Sequence, residues 1–531
     1  MFKKIISLLL CAGMLLSLAA CGGSDTEDPS SPDNIASNGI SGKPLAVTYA
    51  VDNVFSLCYD PEYPLNPISN TCSDNLLISS LMYENAYELG NDLEVIPNLI
   101  TDYVIHDEEG LSWSFYVDTS VTFHDGSNLT AYDVAYSIQR AMQYPQYMNR
   151  LSVIYGITAM SDDMFMISLD KPNTQLPKLL TIPVIKKGSA GEHAPLGTGP
   201  YMLNEEGDAI IPYEDHRYAA DMPIDTIYLK SFEGTERMIS AYEDSEVDLV
   251  VNDPAGISNY GYASTNETRY YDTTSMHYLG FNVNTGLFLF IACRYAMNFG
   301  VDREYIVENL MDGCGTVATL PMHPSAKLYN TNFASNFEYD LEHCRQAFAA
   351  AEVQDYDDDG LAEHMVTGIP LEITIDFIVF ADSMTKVAAA HKIAEDLETL
   401  GIRVNVRELS WQEYTEALEE GTFDMYYGEV KFNPDFDLTE LLTEDGSLNY
   451  GGISDAAGYG SMIDPIFSAA DDMHRQIAID LLQQYIANQA PIVPICFERR
   501  AVMTHRGVVT GIDASQYNVF RNFQNWNIKL N

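Results

Sequence analysis

The chain has 531 residues, 46% of them hydrophobic and 11% aromatic, enough apolar material for more than one core and too much for a chain disordered as a whole. Lys and Arg number 28 against 77 Asp and Glu, a formal charge of -49 at pH 7. Such a field opposes docking on phosphate backbones or anionic lipid, so no nucleic acid partner is expected.

Lys3 and Lys4 precede an apolar stretch from Ile5 to Leu18, and Ala19 and Ala20 lead to Cys21. The stretch is short for a bilayer span, and the arrangement resembles a bacterial lipoprotein signal over residues 1–20. The resemblance implies cleavage before Cys21, a diacylglycerol on its thiol, and a protein lipid-anchored on the outer face of the cytoplasmic membrane. An ordinary secretory signal is the alternative. Residues 21–43 are rich in Gly, Ser, Asp and Pro and read as a flexible tether. No later stretch reaches about eighteen uninterrupted apolar residues, the length of a spanning helix. Cys58, Cys72, Cys293, Cys314, Cys344 and Cys496 form no C-x-x-C pair, so zinc of the usual spacing is not expected. A Cys58 to Cys72 bridge stays open, because sequence gives no distance.

Along the body, Trp113, Phe115 and Val117 alternate with polar neighbours as a strand, which Val121 and Phe123 extend to a turn at His124-Asp125-Gly126. Thr130 and Asp133 stand at capping-box spacing before a helix that buries Val134, Ile138, Ala141 and Met142. Leu371, Ile373, Ile375 and Phe377 read as one half-buried strand. Ala390, Ile393, Ala394, Leu397 and Leu400 then share a helical face, Gly401 stops the helix, and Ile402, Val404 and Val406 start the next strand. This is a βαβ unit. Ser410 and Glu413 supply a second capping box, and Phe423 to Val430 another strand.

Several stretches together resemble a known family. Ile96-Pro97-Asn98-Leu99-Ile100, Trp113-Ser114-Phe115, Phe123-His124-Asp125-Gly126 and Leu129-Thr130-Ala131-Tyr132-Asp133-Val134 are similar to the signature of family 5 extracellular solute-binding proteins, the oligopeptide, dipeptide and nickel receptors of ABC importers. Gly197-Thr198-Gly199-Pro200-Tyr201, Phe281-Asn282, Arg294 through Asp302-Arg303, Leu400-Gly401-Ile402 with Trp411, and Ala490-Pro491-Ile492-Val493-Pro494 follow in family order. The resemblance implies an α/β, two-lobed fold of the periplasmic-binding-protein type II class, with a smaller β-rich domain inserted. Residues 44–60, 186–275 and 500–531 would form the first lobe, 61–185 the insertion and 276–499 the second lobe. Ligand would be enclosed as the lobes close, and the partners would be a peptide or small organic solute and an ABC permease. A monomer without cofactor or catalysis is expected. The glycine-rich and His-Asp-Gly motifs read as turn and packing devices.

Peptide-binding members hold the ligand amine on an Asp soon after a Gly-Trp pair; here that stretch is Gly428-Glu429-Val430-Lys431-Phe432-Asn433-Pro434-Asp435, with Phe432 at the Asp position. Glu429 or Asp435 is the replacement, although an acidic loop residue is more often solvated. Dipeptide members carry an Arg after the strand matching Leu371 to Phe377, and this chain has none there. An oligopeptide held largely by main-chain bonds is therefore favoured over a strict dipeptide. The candidate ligand residues are Tyr59, Tyr260, Glu429, Phe432, Asn433 and Tyr450.

The nickel branch ranks below the peptide branches: the eleven histidines include no i, i+4 helical pair and no metal site is assigned. Asp355-Tyr356-Asp357-Asp358-Asp359-Gly360 matches the first half of a calcium loop, but its twelfth position is Val366, and a solvated loop is the simpler reading. A hydrolase would need a nucleophile elbow or an H-E-x-x-H helix, and neither occurs. Two Ser-x-x-Lys matches, Ser168 to Lys171 and Ser383 to Lys386, lack their companion motifs in order. A lipoprotein that senses a peptide without importing it would share all these residues.

Overall fold

The computed structural model describes residues 53–232, 235–256 and 266–530. The signal, Cys21, the tether, Tyr260 and residues 44–52 of the segment expected in the first lobe lie outside them.

Strands Ile100–Ile105, Ser112–Val117, Met164–Leu169 and Ile154–Ala159 form an antiparallel four-stranded sheet in that order. Its buried face stacks Trp113 on Phe115 and Phe115 on Phe165, with ring centroids 5.9 and 5.3 Å apart. The strand ends at Val117, short of the expected Phe123. Asp118 accepts from the Ser120 amide at 2.9 Å and its hydroxyl at 2.6 Å, and this side-chain turn competes with the ladder. Helix Ala131–Ala141 follows with its capping box formed, Asp133 accepting from the Thr130 amide at 2.9 Å. Val134, Ile138 and Ala141 are fully buried.

A second four-stranded sheet runs Phe55–Cys58, Ile227–Lys230, Ala209–Pro212, Tyr201–Leu203, its first pair parallel and the others antiparallel. Gly197 to Gly199, just before its last strand, lies against the end of helix Ser73–Met82. The Gly199 amide donates to the Met82 carbonyl at 2.9 Å. A Cβ on Gly197 would come within 2.2 Å of that carbonyl oxygen, so only hydrogen fits. The His124 amide donates to the Gly197 carbonyl at 3.0 Å and its Nε2 meets the Gly199 carbonyl at 3.1 Å. The two motifs read as packing devices are therefore one knot.

The largest sheet runs Leu249–Asn252, Ile492–Thr504, Glu267–Phe281, Met425–Lys431, Thr374–Phe380, Arg403–Leu409, with Gly315–Val317 also on Ile492–Thr504. Its two longest strands pair antiparallel from Glu267 with Thr504 to Gly280 with Ile492, and the register shifts between Asp272 and Met276. On one side of this shift Tyr271 and Val502 pack in the core that holds Trp113 and Phe55. On the other, Leu279 and Val493 pack with Phe377 and Ile393, and Met276 and Phe497 pack with Tyr278 and Phe432. The strand pair thus runs from one core into the next.

Thr374–Phe380 and Arg403–Leu409 are parallel, joined by helix Met384–Glu398, which completes the βαβ unit. Gly401, at φ 81°, turns the chain after the helix. The single strand expected from Leu371 to Phe377 is split: Ile369–Glu372 pairs instead with Glu363–Val366 in a three-stranded flap, leaving Leu371 49% exposed. The capping box of Ser410 and Glu413 opens helix Trp411–Glu420. Arg294 and Arg303 are buried and donate to main-chain carbonyls, Arg294 to Gln489 at 3.1 Å and Arg303 to Pro494 at 2.8 Å, so these motif residues stitch the chain on either side of Ile492. All six described cysteines are free thiols, Cys58 and Cys72 included. Among the described residues no helix is long and apolar enough to cross a membrane.

Candidate ligand-binding site

Strand Met425–Lys431 lies antiparallel to Glu267–Phe281, with Glu429 opposite His277 and Lys431 opposite Ser275. Alternation sends Tyr426 and Val430 into a core with Tyr278, and Tyr427, Glu429 and Lys431 to the other face. On that face a charged wall assembles. His277 Nε2 lies 2.7 Å from Glu498 Oε1, and its Nδ1 lies 3.1 Å from the Tyr427 hydroxyl. Glu429 is ion-paired with Lys386, and Arg500 reaches Asp253 at 3.6 Å. Burial raises the Glu498 carboxyl, but the His277 bond, Lys386 and Arg500 outweigh it and hold the group below its ordinary value. Burial, with Arg500 and Arg150 close by, pulls the Lys431 ammonium down. Burial and Glu498 push Asp253 up. His277, Glu429 and Glu498 bring three possible ligand atoms within 4.8 Å of one another. Lys386 and Arg500 beside them oppose a bare cation.

Past Lys431 the chain leaves the sheet. The Phe432 amide donates to Thr274 at 3.0 Å, and the ring is buried against Phe436 and Phe497. Phe436 adopts φ 52°, a left-handed turn that carries the segment into a cavity of about 490 Å³. Asn433 and Asp435 form one wall of it, and Arg150, Lys171 and Asn173, next to the Trp113 sheet, form another. Asp435 is 6% exposed. Its Oδ2 accepts from Asn173 Nδ2 at 3.1 Å, while Oδ1 has no partner. Burial, with Asp437 alongside, pushes this carboxyl up to about 6, against the Asn173 bond. Arg150 donates to the Lys178 carbonyl at 3.1 Å and to Thr181, and burial pulls it down. Beside the cavity, the Thr174 amide donates to Phe467 at 2.8 Å and Arg475 donates to Thr174 at 2.8 Å.

Of the residues singled out in the sequence, Glu429 stands in the charged wall, Asn433 lines the cavity and Phe432 lies in the core behind them. Tyr450 is half-buried, 6.2 Å from the ring of Tyr426. Tyr59 sits beyond strand Phe55–Cys58 with its hydroxyl 3.0 Å from His193 Nε2. His277, Glu498, Lys386, Asp253, Arg500 and Arg150 are additions from the structure. Alternation from Glu429 identifies Tyr427 and Lys431, but no local signal marks the others, which arrive from distant strands. Of the two Ser-x-x-Lys matches, Lys386 is engaged by Glu429 and Lys171 lines the cavity. In the acidic loop, Asp355 already accepts from the amides of Asp357, Asp359 and Gly360, and Val366 is fixed in a strand.

A profile described as bacterial extracellular solute-binding proteins, family 5 Middle, matches residues 94–447. The chain belongs to this family. Heme-binding protein A of Haemophilus influenzae is 23% identical to this solute-binding protein over 541 residues, covering 93% of this chain and 94% of its own. Oligopeptide-binding protein AppA of Bacillus subtilis is 23% identical over 479 residues, covering 84% and 85%. The structure of HbpA2 from Haemophilus parasuis superposes with a TM-score of 0.72 at 19% identity, covering 90% of this chain and 99% of that one. The solute-binding protein thus has the two-lobed α/β fold of its family.

Proposed function

We propose that this chain is the receptor of an ABC importer, lipid-anchored through Cys21, that captures a peptide, an oligopeptide by preference, by lobe closure and delivers it to the permease. In this reading residues 44–60, 186–275 and 500–531 form one lobe, 276–499 the other, and 61–185 the insertion. The observation that carries it is the walled, polar cavity of about 490 Å³ in which a buried carboxylate oxygen is left without a partner. A buried acceptor without a donor is costly, and a ligand that supplies the donor removes the cost. Glu429 and Asn433 face the ligand, with Lys431 and Arg500 offering charge to its carboxylate. Phe432 and Tyr450 support them from the core, and Tyr59 and Tyr260 complete the set on the first lobe. The name of the Bacillus relative agrees with a peptide cargo. A metal chelate is the second reading, favoured by the convergence of His277, Glu429 and Glu498.

Mass spectrometry of small molecules released from the full chain purified from its host tests this. Peptides are the expected cargo; a metal chelate without peptide overturns the peptide reading, and normal peptide uptake by cells lacking the protein overturns import.

A further inference from the structure

A second cavity, of about 260 Å³, borders Thr174 and Gln175, the residues that follow Asn173 of the first cavity. Its charge balance is reversed. Lys178, Lys327 and Arg475 line it with Glu94 and Asp472, three cations to two carboxylates, in a chain whose acidic residues outnumber its basic ones 77 to 28. The pairs are also uneven in depth. Lys178 lies 3.1 Å from Glu94, its side chain 16% exposed against 38%, and Arg475 Nη1 lies 2.6 Å from Asp472, 11% against 62%. The cations are the sunken partners, and the carboxylates stand out in water, where such pairings are weak. Arg475 gives a second nitrogen to the Thr174 hydroxyl at 2.8 Å and leaves Nε buried without a partner.

We propose that this second cavity binds a small oxyanion of the phosphate class, held by cations from both sides of the seam that the Thr174–Arg475 bond crosses. Lys178 comes from helix Leu176–Leu179, after the Trp113 sheet, and Arg475 from helix Asp472–Gln489, with Lys327 3.2 Å from Asp472. The claim is independent of the cargo, because none of these three cations borders the first cavity. A sunken cation with a poorly compensated charge is costly, and an anion that brings several acceptors removes the cost. The guanidinium presents donors in a fixed fork and the two ammoniums supply donors that rotate, so an anion with oxygens in several directions takes all three. A halide ion lacks that geometry. The amino terminus of helix Asp472–Gln489 is not part of the site, since Asp471 already accepts from the His474 amide at 2.9 Å.

Isothermal titration calorimetry of the full-length protein with sodium phosphate, at fixed ionic strength, tests this. Saturable binding with a Kd below about 1 mM is expected, and none with sodium chloride. Acetate that binds as tightly as phosphate also upholds the site and extends it to carboxylates. No phosphate binding, or a heat that chloride reproduces, overturns it. Lys178→Gln on one side of the seam and Lys327→Gln on the other are each expected to weaken phosphate roughly 10-fold, the worth of a charge-assisted bond. A loss from one side alone overturns the bridging of the seam. An equal loss in Arg345→Gln, an exposed cation outside the cavity, shows diffuse attraction and overturns the site. Lys327 is 55% exposed, so its variant decides the matter even where Lys178→Gln does not fold.

Discussion

Asp435 and His124 show burial acting on charge in opposite directions across one pH range. Burial pulls the His124 ring from 6.5 to about 4 against the Gly199 carbonyl bond that supports its charged form. The folded protein therefore holds this ring neutral where the unfolded chain protonates it, and its contribution to stability, complete above pH 6.5, is lost as pH falls towards 4. Asp435, raised from 3.8 to about 6, has the reverse sign: the folded form binds the extra proton between those values, so stability falls as pH rises through them. Histidine proton NMR is expected to place the His124 midpoint near 4, and urea unfolding of His124→Gln is expected to lose less stability than the parent between pH 6.5 and 4. Asp435→Asn is expected to gain about 1–3 kcal/mol at pH 7, read from the same urea curves. The acidic character of Asp435 is visible in the sequence, but its unfilled oxygen is not. Its partner Asn173 lies 262 residues away, and no periodicity reports such a meeting.

Elements whose cause is local were legible in advance. The boxes Thr130 with Asp133 and Ser410 with Glu413 formed because cap and partner sit three residues apart. The βαβ unit followed from a change of period and a glycine stop. Legibility failed at Leu371, where alternation predicted one strand and a nonlocal partner divided it; Glu363–Val366 captured the first half and the large sheet the second. The knot of Gly197, Gly199 and His124 lies between these cases, for glycine signalled a close approach and only the fold identified Met82 as what approaches. A Cβ on Gly199 would lie 2.4 Å from the Met82 carbonyl carbon and 2.5 Å from the Leu81 oxygen. Gly199→Ala is accordingly expected to destabilise by about 1–3 kcal/mol or to shift helix Ser73–Met82, measured by thermal melting and amide exchange of that helix.

For the whole molecule, the bonds from Asn173 and Thr174 to Asp435, Phe467 and Arg475 tie the Trp113 sheet region to the segment beyond the large sheet. A bond between neutral groups contributes about 1 kcal/mol and one to a charged group such as Asp435 or Arg475 about 1.5–3 kcal/mol, enough to weight an opening equilibrium. Asn173→Ala combined with Thr174→Val is expected to enlarge the radius of gyration without ligand, in small-angle scattering, while thermal melting moves little. An unchanged radius would show that the seam does not control opening. The two-lobed architecture was legible only through the family resemblance that the ordered motifs carry. Where the Trp113 sheet region meets the segment beyond the large sheet was hidden, since those contacts join residues far apart in sequence.

The register shift between Asp272 and Met276 has a mechanical consequence. There the ladder loses rungs, and hydroxyls and an amide take their place: Thr273 donates to the Glu498 carbonyl at 2.8 Å, Thr274 donates to Phe432 at 2.7 Å, and Gln516 accepts from the Thr274 amide at 2.6 Å. Side-chain tethers swivel and exchange more freely than a continuous ribbon of main-chain pairs, so compliance concentrates in three residues. A bend at this point would leave the packed interiors on either side as they are.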